Sequence, residues 1–129
     1  MSPRSNATYT ILLVDDDPSV LSCTRRWLER SGYRVRIAAD PSQVLATEKG
    51  LDGVDLMLLD YKMPGMNGFQ VFTEARSLRP DMAFLLATAH ATPEIIQEAR
   101  QMGFSSILLK PFSSAELRAA VEKALAEKA

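Results

Sequence analysis

The chain has 129 residues, 47% of them hydrophobic and 24% charged, with a formal net charge of −1. That length carries one hydrophobic core rather than two, and a charge this near zero, without a basic block, gives no electrostatic case for binding DNA or RNA. The single cysteine, Cys23, excludes an internal disulfide and a Cys-rich zinc site, and fits a reducing compartment. No stretch approaches a membrane span, and the opening Met1-Ser2-Pro3-Arg4-Ser5-Asn6 lacks the apolar core of a signal peptide. Residues 1–8 are therefore expected to be a disordered lead-in to one domain over residues 9–127.

Tyr9-Thr10-Ile11-Leu12-Leu13-Val14 reads as a buried strand, ended by Asp15-Asp16-Asp17-Pro18. Asp before Pro is a helix start, since Asp caps well and Pro tolerates the first helical position. Val20, Leu21, Thr24, Trp27 and Leu28 then recur at helical spacing until Gly32, with Cys23 on or beside that stripe. From Tyr33 to Ala39, Val35 and Ile37 alternate with Arg34 and Arg36, the pattern of a half-exposed strand near a sheet edge. Asp40-Pro41 repeats the cap signal and begins a weaker helix to about Leu51. The run from Val54 to Asp60 is apolar enough for a strand buried on both faces, and a loop with Pro64, Gly65 and Gly68 follows.

Asn67 caps the next helix, whose Val71, Phe72, Ala75 and Leu78 form one face, and Pro80-Asp81 breaks it. Met82 to Thr88 is another apolar strand. Thr92-Pro93-Glu94 opens a helix with Ile95, Ile96, Ala99 and Met102, stopped by Gly103. Ser106 to Leu109 is a short strand ended by Lys110-Pro111. Ser113-Ser114-Ala115-Glu116 is a capping box before the stripe Leu117, Ala120, Val121, Ala124 and Leu125. Five strands alternating with five helices predict an α/β fold with a parallel sheet covered on both faces.

Four strand ends carry polar groups: Asp15 and Asp16, Asp60, Thr88 and Lys110. A parallel sheet brings them to one edge, where open α/β folds bind ligands. Three carboxylates there either rise in pKa or share a cation. Oxygen ligands without His or Cys select a hard ion, Mg²⁺ before Ca²⁺. A metal, an ammonium and a hydroxyl around a carboxylate are the parts that hold a phosphoryl group during in-line transfer, and a carboxylate is a competent nucleophile for it.

With these motifs in order (Val14-Asp15-Asp16, Leu59-Asp60, Met63-Pro64-Gly65-Met66-Asn67-Gly68, Thr88-Ala89 and Lys110-Pro111-Phe112), the chain resembles a receiver domain of bacterial two-component response regulators, from about Thr10 to Leu125. The resemblance implies a flavodoxin-like (βα)5 doubly wound sandwich, strand order 2-1-3-4-5, and a cis bond at Lys110-Pro111. It implies Asp60 as phosphoacceptor, with Asp16, Asp60 and the Lys62 carbonyl on Mg²⁺ and Asp15 acting through water. Thr88 then reads the phosphoryl group and Lys110 pairs with it. The implied partners are a histidine kinase or phosphotransfer protein upstream and a downstream protein or attached output domain. The implied switch surface is formed by the fourth helix, last strand and last helix, which also suits a phosphorylation-dependent homodimer. The implied setting is cytoplasmic, without membrane or nucleic acid contact by this domain, and the domain assists its own phosphorylation without being a turnover enzyme.

Three positions depart from the family pattern. Ile107 stands where many receivers have Tyr or Phe, and a β-branched aliphatic has no ring to swing. Lys62 and His90 each lie two residues beyond a site residue, at positions that, by resemblance to the receiver family, border the path of the hydrolytic water and tune the phosphoryl lifetime. A Lys at 62 has either the phosphoryl oxygens or Asp15 as a partner.

Two rival readings share some of these features. Asp15-Asp16-Asp17-Pro18-Ser19 has the Asp-x-Asp-x-Ser spacing of haloacid-dehalogenase-like phosphatases, with Asp15 and Asp17 as nucleophile and acid/base, but no acidic pair follows Lys110. A flavodoxin-like electron carrier needs a donor-rich loop where three aspartates stand. Arg25, Arg26, Arg30, Arg34 and Arg36 form a basic patch, read as a solvated face that suits an acidic partner.

Overall fold

The computed structural model describes residues 9–45, 48–63 and 65–128, so the lead-in expected over residues 1–8 lies outside the described residues. The strands are β1 (Thr10–Val14), β2 (Arg34–Ala38), β3 (Leu56–Asp60), β4 (Ala83–Thr88) and β5 (Ser106–Leu109). The helices are α1 (Pro18–Arg30), α2 (Pro41–Leu45), α3 (Gly68–Leu78), α4 (Pro93–Met102) and α5 (Ser114–Lys128). All neighbouring strands pair in parallel, in the order β2-β1-β3-β4-β5. This is the doubly wound sheet that the alternation of elements predicts.

Local chemistry starts the helices where the sequence says it should. Asp17 caps α1 through Ser19, with Pro18 in the first turn. Asn67 and Gln70 exchange hydrogen bonds as a capping box on α3, and Thr92 caps α4 before Pro93. Ser113 and Glu116 do the same for α5, at 3.0 and 3.1 Å. Such a cap is worth about 1 kcal/mol, enough to fix where a helix begins and therefore where the preceding loop ends.

Because side chains alternate across a strand, the sheet divides its apolar residues between two cores. Leu12, Val14, Met57, Leu59, Phe84 and Leu86 face α3 and α4, where Phe69, Phe72 and Phe104 complete an aromatic cluster. Ile11, Leu13, Leu56, Leu58, Leu85 and Ala87 face the aliphatic stripes of α1 and α5. β3 lies at the centre with every residue buried, so its terminal Asp60 is carried to a fixed point of the framework.

Three sequence expectations need correction. Of the helix expected from Pro41 to about Leu51, Pro41–Leu45 is α-helical, and Glu48–Leu51 forms a 3₁₀ turn. Ile37 is 46% exposed, because β2 is an edge strand and α1 covers it only in part. Leu78, assigned to the apolar face of α3, is 37% exposed in the last turn of that helix. Cys23, expected on or beside the stripe of α1, is exposed beside it.

Candidate functional site

β1, β3, β4 and β5 all end at the same edge of the sheet. The Asp15 N–H donates to Ala38 O at 3.2 Å, which extends the β1–β2 ladder one residue beyond the strand. On β5 the Lys110 N–H donates to Thr88 O at 2.9 Å, so the lysine leaves the sheet beside the end of β4. The loop after Asp60 folds back tightly, and the Gly68 N–H donates to Tyr61 O at 2.7 Å. A Cβ at Gly68 would lie 2.9 Å from Asp60 O and 3.1 Å from Tyr61 Cα, both backbone atoms that have little freedom to yield. Glycine at 68 is thus a packing requirement of the acceptor loop. Met63, 8% exposed, pins the same loop to the core.

These constraints converge the side chains of Lys110, Asp15, Asp16 and Asp60. The Lys110 ammonium lies 2.7 Å from Asp15 Oδ2 and 3.1 Å from Asp60 Oδ1. Asp15, Asp16 and Asp60 each offer an oxygen within 4.8 Å of the others. Asp15 and Asp60 are buried, whereas Asp16 is exposed toward solvent. Thr88 is 1% exposed, and its hydroxyl oxygen accepts the His90 N–H at 2.9 Å, which leaves its own proton free to donate.

Electrostatics make this edge incomplete. Burial pushes the Asp60 carboxyl above the ordinary carboxylate range and Asp15 pushes it further, with Lys110 pulling the other way. Burial also disfavours the charge on Lys110, but the hydrogen bonds and charges of Asp15 and then Asp60 outweigh it and raise its pKa. Three carboxylates against one ammonium leave a surplus of negative charge in a low-dielectric pocket, the environment that recruits a cation. Oxygen-only donors, two of them buried and one open to water, fit a hard divalent ion that keeps part of its hydration.

The other expected residues are placed less centrally. Lys62 and His90 are exposed in the loops that follow β3 and β4, and among the described residues neither side chain has a hydrogen-bond or ion-pair partner. Asp15 takes Lys110 as its cation rather than Lys62. Ile107 is half-buried against the aromatic core. The peptide bond before Pro111 is cis. The Trp27–Phe112 pair, an edge-on contact at 6.4 Å between α1 and the loop carrying Lys110, was not foreseen. Helical periodicity alone could place Trp27 on a face but could not name its partner.

The fold and this edge define a class of protein, and likeness to known chains agrees. The model for the family described as "Response regulator receiver domain" matches residues 11–122. The chain is 37% identical over 122 residues to the transcriptional regulatory protein GlrR of Escherichia coli, covering 92% of this chain and 27% of that one. It is 31% identical over 115 residues to the sporulation initiation phosphotransferase F of Bacillus subtilis, covering 89% and 92%. A response regulator receiver domain protein (CheY-like) from Methanospirillum hungatei superposes with a TM-score of 0.85 at 32% identity, covering 93% of this chain and 95% of that one. The chain belongs to the response-regulator receiver family. It spans about a quarter of the length of GlrR and similar transcriptional regulators.

The phosphatase reading finds no support. The Asp17 carboxylate is occupied as a cap, accepting the Ser19 N–H at 2.9 Å and its hydroxyl at 2.7 Å. Those bonds hold its pKa below the ordinary value, the opposite of what a general acid needs.

Proposed function

We propose that this receiver domain accepts a phosphoryl group on Asp60 from the phosphohistidine of a histidine kinase or phosphotransfer protein. The observation that carries the reading is the Lys110 ammonium bridging Asp15 and Asp60, inside a cluster that also includes Asp16. An Asp60 oxygen attacks phosphorus, the P–O bond forms as the P–N bond breaks, and the imidazole leaves with the electron pair. Asp16, Asp60 and the Lys62 carbonyl would hold Mg²⁺, and Asp15 would act on it through water. The ion, when bound, neutralises charge on the transferring oxygens. Lys110 shifts its hydrogen bonds toward the phosphoryl oxygens, and the Thr88 hydroxyl donates its free proton to another. Hydrolysis later returns the carboxylate, so the domain assists its own modification without turning over a substrate.

The new charge then biases the surface formed by α4, β5 and α5. Leu109 is 55% exposed there, which suits docking of a downstream protein, an attached output domain or a second phosphorylated copy. With Ile107 half-buried and lacking a ring, the signal travels through the Ala89–Gly103 segment rather than a side-chain flip. Ile107→Ala should therefore leave kinase interaction and output intact, and complete loss of signalling would refute that route. The cytoplasm is the proposed compartment, on family membership alone.

The deciding experiment is labelling by a small phosphodonor. One Mg²⁺-dependent, acyl-phosphate-type label per chain is expected, absent in Asp60→Asn and after chelation; a label that survives in Asp60→Asn sinks the reading. The decay of the same label tests Lys62 and His90 as tuners of phosphoryl lifetime. Replacing either should change the rate about threefold, a barrier difference under ~1 kcal/mol. Identical decay in both variants removes them from that role.

A further inference from the structure

The fold sorts the arginines of α1 by whether they find a partner. Arg25 pairs with Glu29 at 3.4 Å, whereas Arg26 and Arg30 are exposed and make no hydrogen bond or ion pair among the described residues. The same helix presents Cys23, Thr24 and Trp27 to a cleft of about 310 Å³, closed on its far side by Ala89, Pro111 and Phe112. The walls of this cleft are open to solvent: Cys23 is exposed, and the Trp27 and Phe112 rings are half-buried. Thr24 is 3% exposed, yet its hydroxyl makes no hydrogen bond among the described residues. Among those residues no side-chain oxygen or nitrogen is sealed from solvent without a partner. The Thr24 hydroxyl therefore opens onto the hollows that this residue lines, the cleft and a small space of about 10 Å³ beneath Asp15 and Asp60.

We propose that Cys23 is a redox modification site that takes a glutathionyl group, an anionic tripeptide thiol, as a mixed disulfide. The Cys23 thiol loses its proton to water, and its sulfur attacks one sulfur of glutathione disulfide. The new S–S bond forms as the old one breaks, and the second glutathione leaves as a thiolate with the electron pair. Cys23 is thereby oxidised to the disulfide level and the departing glutathione is reduced to the thiol. Cys23 is the chain's single cysteine, so no internal thiol displaces the adduct, and it stays until an outside thiol attacks. The surroundings select the donor. Arg26 and Trp27, three and four residues on, are the neighbours of Cys23 on the helix surface. Arg30 lies two turns on, about 10 Å along the axis, which is the length of an extended tripeptide. Two guanidiniums without a carboxylate partner suit the carboxylates of that tripeptide. The Trp27 ring packs against the disulfide sulfur, and the Thr24 hydroxyl donates to a peptide carbonyl. A cationic disulfide meets only repulsion from the same two arginines. The inference does not depend on Asp60 as acceptor and is tested without metal.

Trp27 is the chain's single tryptophan, so its emission reads the cleft directly. The 129-residue chain, held in chelator, is treated with glutathione disulfide or with cystamine, a cationic disulfide, and followed by intact mass and by fluorescence. Each rate is divided by that of N-acetylcysteinamide with the same reagent, which cancels the reagents' own reactivity. One glutathionyl group per chain is expected, and none in Cys23→Ser. The relative preference for glutathione disulfide over cystamine should be about tenfold at low salt and collapse at high salt. Arg26→Ala/Arg30→Ala should cut that preference about fivefold or more while keeping its circular dichroism spectrum. Arg100→Ala, in α4 on the other face of the sheet, should react as the parent does. Trp27 emission should fall in step with the mass gain and recover when a thiol removes the adduct. The proposal is overturned if the chain takes up no glutathionyl group, or if its preference matches that of N-acetylcysteinamide. It is equally overturned if the folded double variant keeps the parent's preference, or if complete modification leaves Trp27 emission unchanged.

Discussion

Two aspartates bracket the central strand, and they are treated in opposite ways. Asp55, just before β3, accepts the Thr10 N–H at 2.9 Å, while its own N–H donates to Thr10 O at 2.9 Å. Close by, Arg79 donates to Leu51 O at 2.6 Å and Val54 O at 3.0 Å, and grips both oxygens of Asp81 at 3.1 and 3.2 Å. At this amino edge the charges complete backbone hydrogen bonds and tie α3, the 3₁₀ turn and two strands together. At the carboxyl edge Asp60 is buried beside Asp15, with a single ammonium for both and a third carboxylate near. One edge is satisfied by the fold itself, whereas the other is left needing positive charge, which is how a domain can keep a site ready for a cation and a phosphoryl group.

The largest expected effect comes from breaking the satisfied edge. Arg79→Ala removes the guanidinium that ties Leu51 O, Val54 O and Asp81 together, and urea unfolding should show a loss of about 2–3 kcal/mol. A loss below about 0.5 kcal/mol would mean that water replaces the guanidinium without cost. Smaller, and sharper as a comparison, is the pair of aspartates at pH 7 in chelator. Asp55→Ala should lower the melting midpoint by about 2–5 °C, whereas Asp60→Asn should raise it by a similar amount. The reason is that burial and then Asp15 oppose the Asp60 charge. Shifts of the same sign would erase the contrast between the edges.

The smallest effect concerns Tyr33, buried just ahead of β2 at the amino edge. Burial first, and then the charge of Glu122, raises its phenol above the usual tyrosine value. Above that usual value the unfolded chain releases the proton while the folded chain keeps it. The unfolded state therefore binds fewer protons, and stability falls as pH rises toward the folded value. Tyr33→Phe removes this contribution and should flatten the alkaline limb by up to about 1.4 kcal/mol per pH unit. An unchanged limb in the variant would show that the phenol is solvated in the folded state.

Much of the fold was legible because its signals are local. Apolar runs too continuous for an exposed face marked β1, β3 and β4, and Asp-Pro, Thr-Pro and Ser-x-x-Glu pairs marked helix starts that do cap. The site was legible at one remove, since a polar residue ending each apolar run lands on one edge of any parallel sheet. Legibility failed where a neighbour decides. Ile37 and Val35 alternate identically in the chain, yet Val35 packs against the core while Ile37 stays half in water. The helix after Pro41 had a cap signal but no stripe to hold it, and Glu48–Leu51 is a 3₁₀ turn.

By itself, then, the order of residues determined the alternation of strands and helices, their caps, and the set of carboxylates, hydroxyl and amine gathered at the carboxyl edge. Only the tertiary structure decided which charges meet: Lys110 reaches across 95 positions of chain to Asp15, and Arg79 across 25 and 28 to Val54 and Leu51. The physical reason is range. Hydrogen bonds within a turn and the side-chain periods of helix and strand act over a few residues and can be read from the chain, whereas an ion pair depends on the distance between groups that only the packed sheet brings together.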